Sequence, residues 1–113
     1  MSDQRFIIEM GMGNDQYGMD YTKAAKRAIE DAIRHSAIPM LATRNIPHTQ
    51  MRLQVTIGVQ EPDKLDTDAL KDCLPRGTAT ITAQHGGLNT DTGAGNTIVI
   101  ATAAVEAFLP KQV

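Results

Sequence analysis

The sequence predicts an α/β fold of order β-α-β-α-β-β, a four-stranded mixed sheet with two helices on one face. Three patterns carry that reading. Met51, Leu53, Val55, Ile57 and Val59 alternate with Arg52, Gln54, Thr56 and Gly58, the period-two signature of a strand with one apolar and one polar face. Ala24, Ala25, Ala28, Ile29, Ala32 and Ile33 recur at helical spacing. Ile98-Val99-Ile100-Ala101 is apolar on both faces, as a central strand requires.

The first strand is expected over Arg5 to Met12, and Gly11, Gly13 and Gly18 read as the loop that follows. Asp20 or Thr22 caps the first helix, because a short oxygen-bearing side chain accepts from the free amides of the first turn. Lys23, Lys26, Arg27, Glu30, Asp31 and Arg34 lie off its apolar stripe, with Lys26–Glu30 and Arg27–Asp31 spaced to pair. The stripe is mostly alanine, so the helix should pack closely on its sheet. Pro39 and Pro47 enclose the next connection. After the strand over 51–59, Asp66 or Thr67 caps a short helix from Asp68 to Leu74, stopped by Pro75 and Gly77. Residues 78–84 form the third strand, with Thr78, Thr80, Thr82 and Gln84 on one face. A polar, glycine-rich loop over 85–96 leads to the last strand, which starts at Thr97. One sheet face is left half-polar and threonine-rich. Plain solvent exposure is one reading of that face; a thin, alanine-rich core of this size favours the other, burial against further copies of the chain.

Composition narrows the function classes. The 113 residues suit one domain spanning 1–113, with 42% hydrophobic and 21% charged residues. The net charge of −2, without a Lys/Arg cluster, argues against nucleic acid. A single cysteine, Cys73, excludes an intrachain disulfide and a Cys-rich metal site; beside Leu74 it reads as core. No apolar run approaches the ~20 residues of a membrane span. Met1 to Arg5 lacks a signal-peptide pattern, so a cytoplasmic protein is expected.

Two loops could carry chemistry. Gly11 to Lys23 leaves a strand and enters a helix, the place where α/β proteins bind ligands. It lacks the third glycine of a dinucleotide fingerprint, since Gln16 stands there, and it lacks a P-loop lysine. Gly11, Gly13, Asn14 and Tyr17 are candidate ligand-binding residues, and Asp15, Asp20 and Lys23 candidate acid–base groups. A plain capped turn explains the same residues. In the second loop, the amides of Gly86 and Gly87 could converge on an anion, with His85 as general acid or base. Asn89 could hold a ligand, and Asn89 and Asp91 could equally make Asx turns. A turn with an exposed histidine is the alternative. Glu9, Asp15, Asp20 and His85 have the chemistry to bind a divalent metal but show no ligand spacing such as HxxxH, so no metal site is assigned. Ser2 and Ser36 are the only serines and neither sits on a nucleophile elbow. His35 and His48 read as a helix end and a loop.

The span Phe6 to Ala25, with Ala28 to Ile33, Ile57-Gly58-Val59, Gly86-Gly87-Leu88 and Ala101 to Val105, resembles a small family of uncharacterised conserved hypothetical proteins. Asp20-Tyr21-Thr22-Lys23-Ala24-Ala25 is its most specific part. That family often places a histidine where this chain has Tyr17 and a glutamine where it has Met19. More distantly, the element order is similar to chorismate mutase-like folds. That resemblance implies a trimer with sites between subunits and the last strand in the middle of the sheet. Single repeats of ring-opening amidohydrolases of the cyanuric acid hydrolase and barbiturase type look similar too, although their Lys–Ser dyad has no match here.

These readings converge on a small-molecule enzyme or enzyme-like binder. Its site would lie between subunits and take a small polar cyclic amide or carboxylate. A non-catalytic ligand-sensing or accessory subunit, or a purely structural interaction protein, are the alternatives. The cofactor, if any, is not legible.

Overall fold

A computed structural model of the chain describes residues 3–34, 51–74 and 78–110. The readings placed on Ser2, His35, Ser36, Pro39, Pro47, His48, Pro75 and Gly77 lie outside these residues. The described elements are β1 (Asp3–Asp15), α1 (Tyr21–Arg34), β2 (Arg52–Val59), a single 3-10 turn (Pro62–Lys64), α2 (Thr67–Lys71), β3 (Thr78–His85), β4 (Leu88–Asp91) and β5 (Thr97–Pro110). The fold is mixed α/β, as the sequence predicts, with five strands in place of four. The extra one, β4, lies inside the glycine-rich stretch that reads as loop, because four residues are too few to show a period.

The sheet order is β1-β5-β2-β3, with β4 also on β5. The last strand is therefore central. It runs antiparallel to β1, β2 and β4, while β2 and β3 are parallel. As a result β1, β2 and β3 all end at the same side of the molecule, where β5 begins. Loops 16–20, 60–66 and 86–87 gather there.

Alternation divides the faces. Val55, Ile57 and Val59 of β2 and Val99, Ala101, Ala103 and Val105 of β5 are buried beneath the helices, and Leu53, Ala107 and Leu109 are buried in a second cluster with Met51. From α1, Tyr21, Ala24, Ala25, Ala28, Ile29 and Ala32 are buried, and Leu70 of α2 joins the same core. Asp66 caps α2 by accepting from the Ala69 amide at 3.1 Å, one of the two caps the sequence offers.

Two expectations about β1 need correction. The strand does not stop at Met12 but runs to Asp15, and Gly11 and Gly13 lie within it rather than in a loop. Both face α1. A Cβ on Gly11 would lie 2.4 Å from the Ala32 nitrogen, and one on Gly13 would lie 2.4 Å from the Ala28 nitrogen. These glycines let helix backbone approach strand backbone, and the alanines of α1 supply the matching flat surface. Their use is packing, which leaves no room for a ligand above them.

No described element covers the opposite face. It carries Gln54, Thr56, Thr80, Thr82 and Thr102, as the sequence suggests, and also Ile8, Met10, Met12 and Leu88, which are 43%, 69%, 56% and 54% exposed. Met10, Met12, Thr56, Gly58, Thr102 and Ala104 line an open trough of about 510 Å³ there. Among the described residues, no helix is long and apolar enough to cross a membrane.

Gly13→Ala should cost about 2 kcal/mol or more, since neither contacting backbone can yield cheaply. Gly93→Ala, where φ is +84° but nothing lies within 4 Å, should cost only about 1 kcal/mol of left-handed strain. Urea unfolding midpoints at equal m-value check the ranking.

Candidate functional site

β1 delivers Asp15 to the end of the sheet, on the face that α1 covers. It is the one buried charged residue among those described, at 3% exposure. Its Oδ2 accepts the Asp20 amide at 3.0 Å. Its Oδ1 faces Lys23 Nζ at 3.6 Å and Arg27 Nη1 at 3.9 Å. Lys23 and Arg27 are one helical turn apart on α1, so both reach the same point. Arg27 is fixed further by donating to the Asn14 carbonyl at 2.6 Å. Residues 16–19 then loop out. Gly18 and Met19 both have positive φ, +94° and +50°, and Tyr17 stands 77% exposed at the tip. The Asn96 side chain donates to the Gln16 carbonyl, pinning this loop to the β4–β5 connection.

The product is a polar cleft of about 350 Å³ lined by Asn14, Asp15, Gln16, Tyr17, Lys23 and Arg27. It holds two cations against one carboxylate. Both Asp15–cation distances exceed ordinary charge-assisted hydrogen bonds, so neither cation is closely matched by that acid.

The structure assembles only part of the predicted site. Asp15, Tyr17, Lys23 and Asn14 come together. Asp20 does not line this cleft: its Oδ1 accepts the Lys23 amide at 3.0 Å and its carbonyl accepts the Ala24 amide at 3.1 Å, making it the N-cap of α1. Gly11 and Gly13 lie under the helix. His85 is exposed at the end of β3, paired with Val59. Three strand spacings separate β3 from β1, about 14 Å, so His85 and Asp15 share no site within one protomer.

Gly86 and Gly87 also have structural duties. The Gly86 amide donates to the Val59 carbonyl at 2.9 Å, and both glycine carbonyls accept from Gln60 Nε2, at 3.0 and 3.2 Å. A Cβ on Gly87, whose φ is +63°, would lie 2.2 Å from the Ile100 carbonyl oxygen. The pair lets the chain cross from β3 to β4 in contact with β2 and β5, and the amide that would have faced an anion at Gly86 is taken. Asp91 accepts the Gly93 amide at 2.8 Å, the Asx turn that the sequence allows.

Asn89 joins a second polar group. Its Nδ2 donates to the Tyr21 hydroxyl at 2.8 Å, and that hydroxyl donates to Glu61 Oε2 at 2.8 Å. The Asn89 Oδ1 is buried and has no hydrogen-bond partner. Burial pushes the Tyr21 phenol above its ordinary value, while the bonds from Tyr21 and Lys64 pull the Glu61 carboxyl down. Cys73 is half-buried against the core, and burial raises its thiol. Among the described residues no group of three or more His, Cys, Asp or Glu could hold a metal ion.

Sequence reasoning missed Arg27, Tyr21, Glu61 and Asn96. The Lys23/Arg27 spacing at the start of a helix was the available signal for Arg27. Glu61 and Asn96 act through contacts 40 and 80 residues distant in sequence, which no local pattern encodes.

Fold and cleft together define a two-layer α/β protein with a polar cleft where its first strand meets its first helix. The chain belongs to the Lin0512 family of conserved hypothetical proteins, whose profile matches residues 5–107. It is similar to a crystal structure from Nostoc punctiforme described as an FtsZ-like protein of unknown function. The two are 33% identical over 98% of this chain and 99% of that one, with a TM-score of 0.85. No curated protein matches significantly.

Tyr21 should ionise above the usual tyrosine value of about 10, read as the difference in alkaline absorbance titration between wild type and Tyr21→Phe. Because the folded-state value is raised, the stability linked to this phenol is intact below about pH 10 and falls as pH rises through the folded value. Tyr21→Phe should lose that alkaline decline; an unchanged titration difference near 10 would contradict the burial.

Proposed function

We propose that the chain is a small-molecule-binding subunit of a homo-oligomer, its site the Asn14–Tyr17/Lys23/Arg27 cleft and its ligand a small polar carboxylate or a cyclic amide bearing an anionic oxygen. One observation carries the reading: Lys23 and Arg27 converge on a single buried acid at 3.6 and 3.9 Å, which leaves the cleft with positive charge and donors in excess. A ligand oxygen placed between the two cations and the Tyr17 hydroxyl would complete their hydrogen bonding. The exposed Tyr17 wall leaves one side to be supplied by the ligand or by a neighbouring copy. The uncovered apolar residues Ile8, Met10, Met12 and Leu88 support association through that face.

Binding without turnover is favoured over catalysis. Asp15 and Asp20 both accept main-chain amides, and His85 stands too far away to exchange protons with them. A nucleotide ligand, which the FtsZ-like description of the Nostoc relative brings to mind, is less favoured. In the glycine-rich turn over 92–96 the Gly93 and Ala94 amides are already donated to Asp91 and Thr92, and so are withdrawn from a phosphate.

Calorimetric titration with malonate, succinate and barbiturate tests the reading. Hydrogen bonds to charged groups contribute about 1.5–3 kcal/mol, so Lys23→Gln and Arg27→Gln should each weaken binding roughly ten- to hundredfold. His85→Ala should bind as wild type. Binding that survives both cleft substitutions would place the ligand elsewhere.

A further inference from the structure

We infer that β3 is a self-pairing edge, joining antiparallel to β3 of a second copy about a two-fold axis that passes between the two Ile81 residues. The two edges of the sheet are treated differently. On β1, the Met12 amide is taken by Asp31 Oδ2 from α1 at 3.0 Å, and the pairing with β5 is irregular between Arg5 and Ile7. Capping and bulging are the devices that stop an edge from recruiting another strand. Strand β3 has neither a charge nor a proline from Thr78 to Gln84, and it holds unbroken register with β2 from Arg52↔Thr78 to Val59↔His85.

Backbone polarity says which groups face outward. The Thr78 amide donates to Met51 and the Gly86 amide to Val59, so the even-numbered residues turn their backbone toward β2. In a parallel pair the intervening residues point the other way. Ala79, Ile81 and Ala83 therefore present N–H and C=O groups along the edge that no described strand pairs with.

The sequence of that edge is its own mirror. Thr80 and Thr82 flank Ile81, and Ala79 and Ala83 flank those. Antiparallel pairing about Ile81 sets Ile81 against Ile81, Ala79 of one copy against Ala83 of the other, and Thr80 against Thr82. Each outward residue then exchanges both main-chain bonds with its opposite, about six in all. The threonines, exposed on the uncovered face, form favourable cross-strand pairs. No like charges meet. A two-fold contact of this kind is isologous and closes on itself, and the guarded β1 edge prevents further growth. This two-copy contact is independent of the cleft.

The test is mass in solution by light scattering across micromolar concentrations, with folding monitored by circular dichroism. Wild type should contain an even number of copies. Thr80→Lys with Thr82→Lys sets lysines against each other across the axis and should weaken association at least tenfold. Thr80→Lys with Thr82→Glu sets lysine against glutamate in this register alone and should retain the wild-type mass, which keeps the test decisive even if the first variant fails to fold. A wild type with one or three copies, a Lys/Lys variant of unchanged mass, or a Lys/Glu variant that folds but dissociates would each overturn the proposal. So would dissociation that responds only to Met10→Lys on the uncovered face, or a β3 edge that pairs only with an unrelated peptide.

Discussion

Everything at the working end of the molecule depends on how closely α1 lies on β1. Gly11 and Gly13 remove the side chains that would hold helix and strand apart, and Ala24, Ala28 and Ala32 remove them from the other side. The resulting contact is backbone on backbone. It leaves little freedom in the height or rotation of the helix, because a shift that opened the gap would forfeit dispersion contacts without admitting water. The first turn of α1 is thereby fixed directly over the last residue of β1. Lys23 and Arg27 reach Asp15 for that reason, at 3.6 and 3.9 Å.

Asp15 is the electrostatic counterpart of that contact. A carboxylate at 3% exposure would be costly if unpaired. Here the Asp20 amide and two nearby cations compensate it. The same oxygen atoms shape the 16–19 loop, since Asp15 holds the residue that caps the helix. Asp20 in turn accepts the Lys23 amide. Two successive acids thus tie strand, loop and helix into one unit. Salt screens the Lys23 and Arg27 contributions, because both side chains are about half exposed. The hydrogen bond from the Asp20 amide is less exposed to screening. The acid is anchored chiefly by the backbone, and the cations are the adjustable part.

The layered α/β plan, β2, β3 and the stripe of α1 were legible because each has a clear period over six residues or more, and the start of β5 because Ile98 to Ala101 is apolar on both faces. The end of β1 was not. Glycine in sequence reads as loop, and only the neighbouring helix explains why Gly11 and Gly13 belong to a strand. The same bias hid β4 behind Gly86, Gly87, Gly93 and Gly95. For the site, the location at the strand–helix junction was legible, as were Asp15, Tyr17 and Lys23. The separation of His85 from Asp15 was not, because it follows from strand order, and order is set by which apolar faces bury together over the whole chain. Arg27 read only as a residue off the apolar stripe, spaced to pair with Asp31, because its partner Asn14 offers a carbonyl, a group every residue possesses.

The described glycines do three different things, and the differences explain the division of the molecule. Those in β1 bring a helix down on a strand. Gly58, Gly86 and Gly87 bring three stretches of backbone together where β3 crosses to β4, and Gln60 seals that crossing by donating to both carbonyls. Gly18, Gly93 and Gly95 supply left-handed turns in exposed loops. Only the last group lies at the surface, and it borders the cleft through the Asn96–Gln16 contact. Rigid close packing beneath and turn-forming residues above give a site whose floor is fixed. At the rim, side-chain bonds hold Gln16 and Asp20 on either side of the exposed Tyr17, so an incoming ligand meets resistance to reshaping at Asp15 and less at Tyr17.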